Sequence, residues 1–170
     1  IYHSSRLGFQ IKAIFKKLTP HATFSSCKFN DGNYVKAEEA IIKVECGVIS
    51  LLEGERSALN VLQWLSGIAT LTRKYVKKAD PVKVLDTRKT TPGLRIFEKY
   101  AVNCGGGNNH RLGLFDQILI KDNHIEAAGS ITKAIKAIRD KSDNIIEVEV
   151  KTLEEVDEAL KNKVDIIMLD

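Results

Sequence analysis

From residue 82 onward, four short apolar runs alternate with helical patterns, and this alternation most constrains the fold. The runs are "VKVLDT" at 82–87, "ILIKD" at 118–122, "IIEVEV" at 145–150 and "VDIIMLD" at 164–170. Between the last three lie "SITKAIKAIRDK" and "TLEEVDEALKNK", each opening on a Ser or Thr suited to an N-cap. Strand, helix, strand in succession implies βαβ units and a parallel sheet. Four such strands fit an open doubly wound sheet or the first half of a β/α barrel.

Charged residues are costly inside a buried parallel strand. Here Asp86 and Arg88 close the first run, Lys121 and Asp122 the second, and Asp170 the fourth, while Glu147 and Glu149 line the third. They gather at the C-terminal ends of the strands, the face where β/α barrels place their chemistry. A bland alternative is that strand ends emerge into water. Glu149 weighs against it, because it sits inside "EVEV" and not after it.

Two segments concentrate the cations. "LDTRKTTPGLR" (85–95) carries Arg88, Lys89 and Arg95, with one acid, Asp86. "KYAVNCGGGNNHRLGLFDQILIKDNHI" (99–125) carries His110, Arg111, Lys121 and His124 after three consecutive glycines. The triplet Gly105, Gly106 and Gly107 allows close backbone approach or positive φ, but it is not a P-loop. His110 and His124 are too far apart for a pair on one helix, and no cysteine is suitably spaced, which argues against zinc. There remain Arg88, Lys89, His110 when protonated, Arg111 and Lys121. Guanidinium forks match carboxylates and phosphates. Several of them imply a ligand with more than one acidic group. Glu149 and Asp170, on the same face as a phosphate-rich ligand, suit a bridging Mg²⁺; the alternative is that they neutralise the lysines.

The first half reads differently. The stretch 31–50, "DGNYVKAEEAIIKVECGVIS", is expected to be a hairpin-rich β region. Its rhythm is similar to lipoyl-type sandwich domains, but no lysine sits in the required tight turn, so a structural sheet is the reading. Residues 53–78 are expected to form a long helix, with Leu59, Leu62, Leu65, Ile68, Leu71 and Tyr75 as its apolar stripe. Arg73, Lys74, Lys77 and Lys78 crowd its end, where cations suit the macrodipole and solvent.

Composition removes several classes. With 44% hydrophobic and 28% charged residues the chain is globular. A net charge of +4 is far from a nucleic-acid signature, and no apolar run reaches the roughly 20 residues of a membrane span. The three cysteines, Cys27, Cys46 and Cys104, form neither a disulfide framework nor a CxxC pair, so a reducing, cytoplasmic setting is expected. Both ends read as cut. The chain of 170 residues begins at Ile1, and nothing after Asp170 covers the last apolar run.

At this point the motifs resemble a known family. "LLEGERSALNVLQWLSGIAT", "LDTRKTTPGLR", the glycine-triplet segment and "EVEV" closely resemble quinolinate phosphoribosyltransferase, also called carboxylating nicotinate-nucleotide pyrophosphorylase, in order over 47–170. Residues 1–46 fit the family's N-terminal region loosely. The resemblance implies an α/β fold: an N-terminal α/β open sandwich with its long helix (1–80), then a β/α barrel of parallel strands (81–170), incomplete here. It implies transfer of phosphoribosyl from phosphoribosyl pyrophosphate to quinolinate with Mg²⁺, giving nicotinate mononucleotide, pyrophosphate and CO₂. It also implies homodimers or larger homo-oligomers with shared sites.

Carried onto this sequence, the resemblance gives Arg88, Arg111 and Lys121 to the quinolinate carboxylates, with His110 beside them. Lys89 meets the pyrophosphate side, Glu149 and Asp170 the ribose and metal, and Arg56 the neighbour's site. The family's later glycine-rich loops for the 5′-phosphate fall beyond Asp170. Two other readings stay open: a related phosphoribosyltransferase on another acidic base, and a non-catalytic module binding a polyanionic metabolite.

Overall fold

A computed structural model describes residues 2–3, 5–25 and 29–170; Cys27 lies outside them. The chain packs as two compact units, Ile1–His110 and Arg111–Asp170. Among the described residues, no helix is long and apolar enough to cross a membrane.

The first unit is built on helices α1 (Ser5–Leu18), α2 (Val48–Ala79) and α3 (Arg95–Cys104). Its strands are two residues each: β1 (Tyr2–His3), β2 (Thr23–Phe24), β3 (Asn33–Tyr34) and β4 (Val44–Glu45). The expected hairpin region at 31–50 is corrected here. β3 pairs antiparallel with β1, and β4 with β2, so neither pairs with the other. The partners are non-local because the core is. Ile11 and Phe15 of α1 bury against Ala22 and Ala58, with Phe24, Ile42 and Val44 packed on them.

Helix α2 begins at Val48, earlier than expected, and takes in Ile49 and Ser50. Its buried face is narrower in side-chain size than the predicted leucine stripe: Gly54, Ala58, Leu65, Ser66, Ala69 and Thr72. Small residues let neighbours approach. A Cβ on Gly54 would lie 2.5 Å from the Phe15 ring. Leu71 and Tyr75, placed in the stripe by periodicity, are instead exposed. Arg73 is not a solvated end: its guanidinium lies against Gly106.

The glycine triplet is explained by the same packing. A Cβ on Gly105 would fall 2.6 Å from the Ala69 carbonyl oxygen of α2, and Gly106 has φ +88. The triplet therefore turns the chain tightly against a helix. The first expected strand, 82–87, is reduced to one parallel bridge between Leu85 and Asn108. Val82 and Leu85 are exposed, so the run lacks the burial that would extend it.

The second unit matches the alternating pattern. Strands β5 (Ile118–Ile120), β6 (Ile146–Val150) and β7 (Ile166–Leu169) form a parallel sheet in that order. Helices α4 (Asp122–Ala128) and α5 (Ile131–Arg139) join β5 to β6, and α6 (Leu153–Lys161) joins β6 to β7. Ser130 and Thr152 are the N-caps the sequence indicated, accepting from Lys133 N and Glu155 N. Helix α4 was not anticipated. Its start is held by His124 Nδ1, which accepts from Lys121 N at 3.0 Å. Ile146, Val148 and Val150 are fully buried with Ile131, Ile135 and Ala159 of the helices. Burying each large aliphatic side chain is worth roughly 1.5–3 kcal/mol. The two-residue period then sends Glu147 and Glu149 to the opposite face of the sheet.

Candidate active site

In the first unit, the loop 85–95 is a hydrogen-bonded frame. The Arg88 carbonyl accepts from Thr90 N at 2.9 Å and from the Arg95 guanidinium at 3.4 Å. Arg95 Nε also donates to Thr90 Oγ1 at 3.0 Å. Thr91 donates through both its backbone N–H and its hydroxyl to Glu98, in the first turn of α3. Thr87 Oγ1 accepts from Lys89 N at 3.1 Å. The threonines and Arg95 thus hold the loop, and Arg88 and Lys89 are what it presents. Lys89 is exposed. Arg88 Nε is buried and has no hydrogen-bond partner among the described residues. A guanidinium N–H in that state costs free energy that an anionic ligand would offset.

Below this loop lies a pair that sequence reading missed. Lys99 of α3, 3% exposed, forms an ion pair with Asp86, 7% exposed, at 2.5 Å. Asp86 Oδ1 also accepts from His110 N at 2.8 Å, and Lys99 Nζ donates to His110 O at 2.8 Å. The signal was present as an acid and a lysine flanking the cationic loop, but burial decided it.

In the second unit, Arg111 donates to the Gln117 carbonyl at 3.4 Å, and Gln117 Nε2 donates to Glu147 Oε2 at 2.8 Å. Glu147, 3% exposed, is thereby engaged inside the unit. Register puts Glu149 level with Met168. Asp170 lies two residues further along the same face, its N–H donating to Val150 O at 3.0 Å. Lys121 Nζ sits 3.0 Å from Glu149 Oε2. Lys151 Nζ lies 3.1 Å from Asp122 Oδ2 and 3.9 Å from Asp170 Oδ2. The hydrogen bond from Lys151, then that from Asn123 N, holds the Asp122 carboxyl below its usual range; the hydrogen bond and charge of Asp122 push the Lys151 ammonium up.

The C-terminal strand ends therefore carry alternating charges, with the expected Lys121, Glu149 and Asp170 gathered on one unit. Among the described residues, no three His, Cys, Asp or Glu side chains converge as a metal cage. Two carboxylates on one face are nevertheless what Mg²⁺ commonly takes from protein, the remaining ligands being phosphate oxygens and water. Arg56 lies on α2, exposed and without an ion pair among the described residues. It stands in the third turn of the helix, so the macrodipole penalty expected near a helix start does not apply.

Comparison with known proteins gives the family. Residues 68–170 match the family profile of the quinolinate phosphoribosyl transferase C-terminal domain, and residues 10–66 that of its N-terminal domain. The likeness thus extends well before residue 47. The chain is 52% identical over 161 residues to a Synechocystis sp. protein named probable nicotinate-nucleotide pyrophosphorylase (carboxylating), covering 92% of this chain and 54% of that protein. It is 51% identical over 144 residues to a Bacillus subtilis protein of the same name, covering 82% and 50%. Among solved structures, NadC from Streptococcus pyogenes superposes with a TM-score of 0.92 at 45% identity, covering 99% of this chain and 60% of that one. The chain spans about half the length of the curated relatives it matches.

Proposed function

Because this chain belongs to the quinolinate phosphoribosyl transferase family, we propose that the full-length protein makes nicotinate mononucleotide from quinolinate and phosphoribosyl pyrophosphate, releasing pyrophosphate and CO₂. The observation that carries this reading is Arg88. Its Nε is buried without a hydrogen-bond partner among the described residues, while Arg95 and Thr90 of the same loop bond each other. Such a group is set to receive an anion.

In this reading Arg88, Arg111 and Lys121 bind the quinolinate carboxylates, with His110 as a further donor. Fixing both carboxylates aims the ring nitrogen at the anomeric carbon. The nitrogen forms the new bond as the carbon–oxygen bond to pyrophosphate breaks, and the electron pair leaves on pyrophosphate. The transition state resembles an oxocarbenium ion, as in glycoside chemistry. Lys89 stabilises the leaving anion. The C2 carboxylate then departs as CO₂; the electron pair of the broken bond stays on C2, stabilised by the adjacent positive pyridinium nitrogen, and takes a proton from water. No nucleophilic side chain takes part. Glu149 and Asp170 face the ribose and would hold Mg²⁺, which when bound neutralises pyrophosphate charge.

The same reading makes the protein a homodimer or larger homo-oligomer, with Arg56 entering a neighbour's site. Support comes from the start of α2, where Val48, Ile49 and Leu52 are exposed, the last of them one turn before Arg56. We further propose an N-terminal region over 1–80 and a barrel domain from 81, and a cytoplasmic location, which a chain without CxxC spacing among its three cysteines suits. A product assay tests the activity. Full-length protein with Mg²⁺ should form nicotinate mononucleotide, pyrophosphate and CO₂ in equal amounts. Product without CO₂ would favour another acidic base, and no product would favour a binding module.

A further inference from the structure

We propose that Lys99 and Asp86 are positioning residues that set the geometry of the anion-binding loops, and through it affinity for the acidic base. This rests on the proposed roles of Arg88 and His110. The pair grips His110 on both sides: Asp86 Oδ1 accepts its N–H at 2.8 Å, and Lys99 Nζ donates to its carbonyl at 2.8 Å. With its nitrogen turned toward them, the Asn109 carboxamide donates to Asp86 Oδ2 at 3.0 Å and Lys99 O at 2.9 Å. Both Asp86 oxygens are then engaged. Asp86 N also donates to Asn108 O at 3.1 Å, fixing the strand end two residues before Arg88.

Helix α3 ties the two loops together with side chains one turn apart. Arg95 holds the Arg88 carbonyl, and Lys99 holds Asp86 and His110. A buried ion pair is a poor source of stability, since apolar residues of similar size often do as well. Its fixed charges and directed hydrogen bonds do locate two backbone segments, and misplacing a binding group by about 1 Å can cost about a hundredfold. Lys99 is 3% exposed and bonded to Asp86 and His110, so it acts through the residues it holds.

The test uses the full-length enzyme with Lys99→Met, and with Asp86→Asn/Lys99→Met. The double variant buries no unpaired charge and keeps an acceptor for His110 N–H, so it carries the test if the single variant does not fold. Three quantities are read: melting temperature, the separate KM values for quinolinate and phosphoribosyl pyrophosphate, and hydrogen exchange at the His110 amide. The expected result is a rise of about tenfold or more in KM for quinolinate. KM for phosphoribosyl pyrophosphate should stay within about twofold, with faster exchange at His110. A folded variant with unchanged KM for quinolinate, or with both KM values raised alike, would overturn the proposal and leave the pair a stabilising one. If wild-type protein does not use quinolinate at all, the functional reading fails instead. Exchange at His110 then decides whether the pair holds that backbone.

Discussion

Lys121 and Glu149 face each other at 3.0 Å across the strand ends of β5 and β6, the lysine 46% and the glutamate 11% exposed. This single pair joins a residue assigned to the dicarboxylate with one assigned to the ribose and metal. Neutralising the glutamate separates those roles, because Lys121 keeps its charge.

Glu149→Gln, and Asp170→Asn beside it, should raise KM for phosphoribosyl pyrophosphate and the Mg²⁺ needed for half-maximal rate by about tenfold or more, with KM for quinolinate within about twofold. Stability should change little, since part-exposed ion pairs are worth at most about 1 kcal/mol. Steady-state kinetics with Mg²⁺ titration checks this. A change confined to quinolinate would show that the division of the site is wrong.

The Lys151–Asp122 pair predicts a pH signature. The Asp122 carboxyl is held low, so its contribution is present above its unfolded pKa, about 4, and is lost as pH falls through the lower folded value. The Lys151 ammonium is pushed up, so its contribution is present below its unfolded pKa, about 10.5, and is lost as pH rises through the higher folded value. The melting-temperature difference between wild type and Lys151→Met should therefore be level from about pH 5 to 10 and shrink at both extremes. A difference that grows toward either extreme would reject the pair.

Gly105→Ala should destabilise the protein by roughly 1–3 kcal/mol, because its Cβ would meet the Ala69 carbonyl oxygen at 2.6 Å and a helix backbone does not yield cheaply. Chemical denaturation measures it. Normal stability with weakened phosphate binding would mean that the triplet serves a ligand and not the helix.

The second unit was legible in the sequence because each signal there is local. Ser130 and Thr152 announce their helices, and "EVEV" alternates so plainly that the apolar and charged faces follow from it. The first unit was less legible because its short strands pair at long range. Nothing in 31–50 says that Asn33 and Tyr34 meet residues 2–3. The stripe of α2 was legible in part: Leu62, Leu65 and Ile68 pack in the core, while Leu71 and Tyr75 are exposed. Close approach of Phe15 and Gly105 adds the small residues Gly54, Ala58 and Ala69 to the contact face, which periodicity of large apolar residues does not reveal. The cations of 85–95 were countable but not sortable. Only the fold distinguishes Arg95, which bonds the loop, from Arg88, whose Nε has no hydrogen-bond partner among the described residues.

Arg56 carries the claim of a shared site. Full-length Arg56→Ala and Lys121→Ala, each nearly inactive alone, should regain activity when mixed under subunit exchange. In a mixed dimer one site has both residues intact and the other lacks both. Random pairing makes about half the dimers mixed, so about one quarter of the sites should recover. No recovery after verified exchange would place Arg56 in its own subunit's site.

The central claim is that these cations select a dicarboxylate pyridine. The most direct measurement is nucleotide formation by the full-length enzyme from quinolinate and from nicotinate, each with phosphoribosyl pyrophosphate and Mg²⁺. Losing one carboxylate leaves buried charge unpaired at roughly 2–5 kcal/mol, or tens- to thousands-fold in rate. Efficient use of quinolinate is expected, with a nicotinate rate lower by at least that lower bound. Comparable turnover of both acids would contradict it.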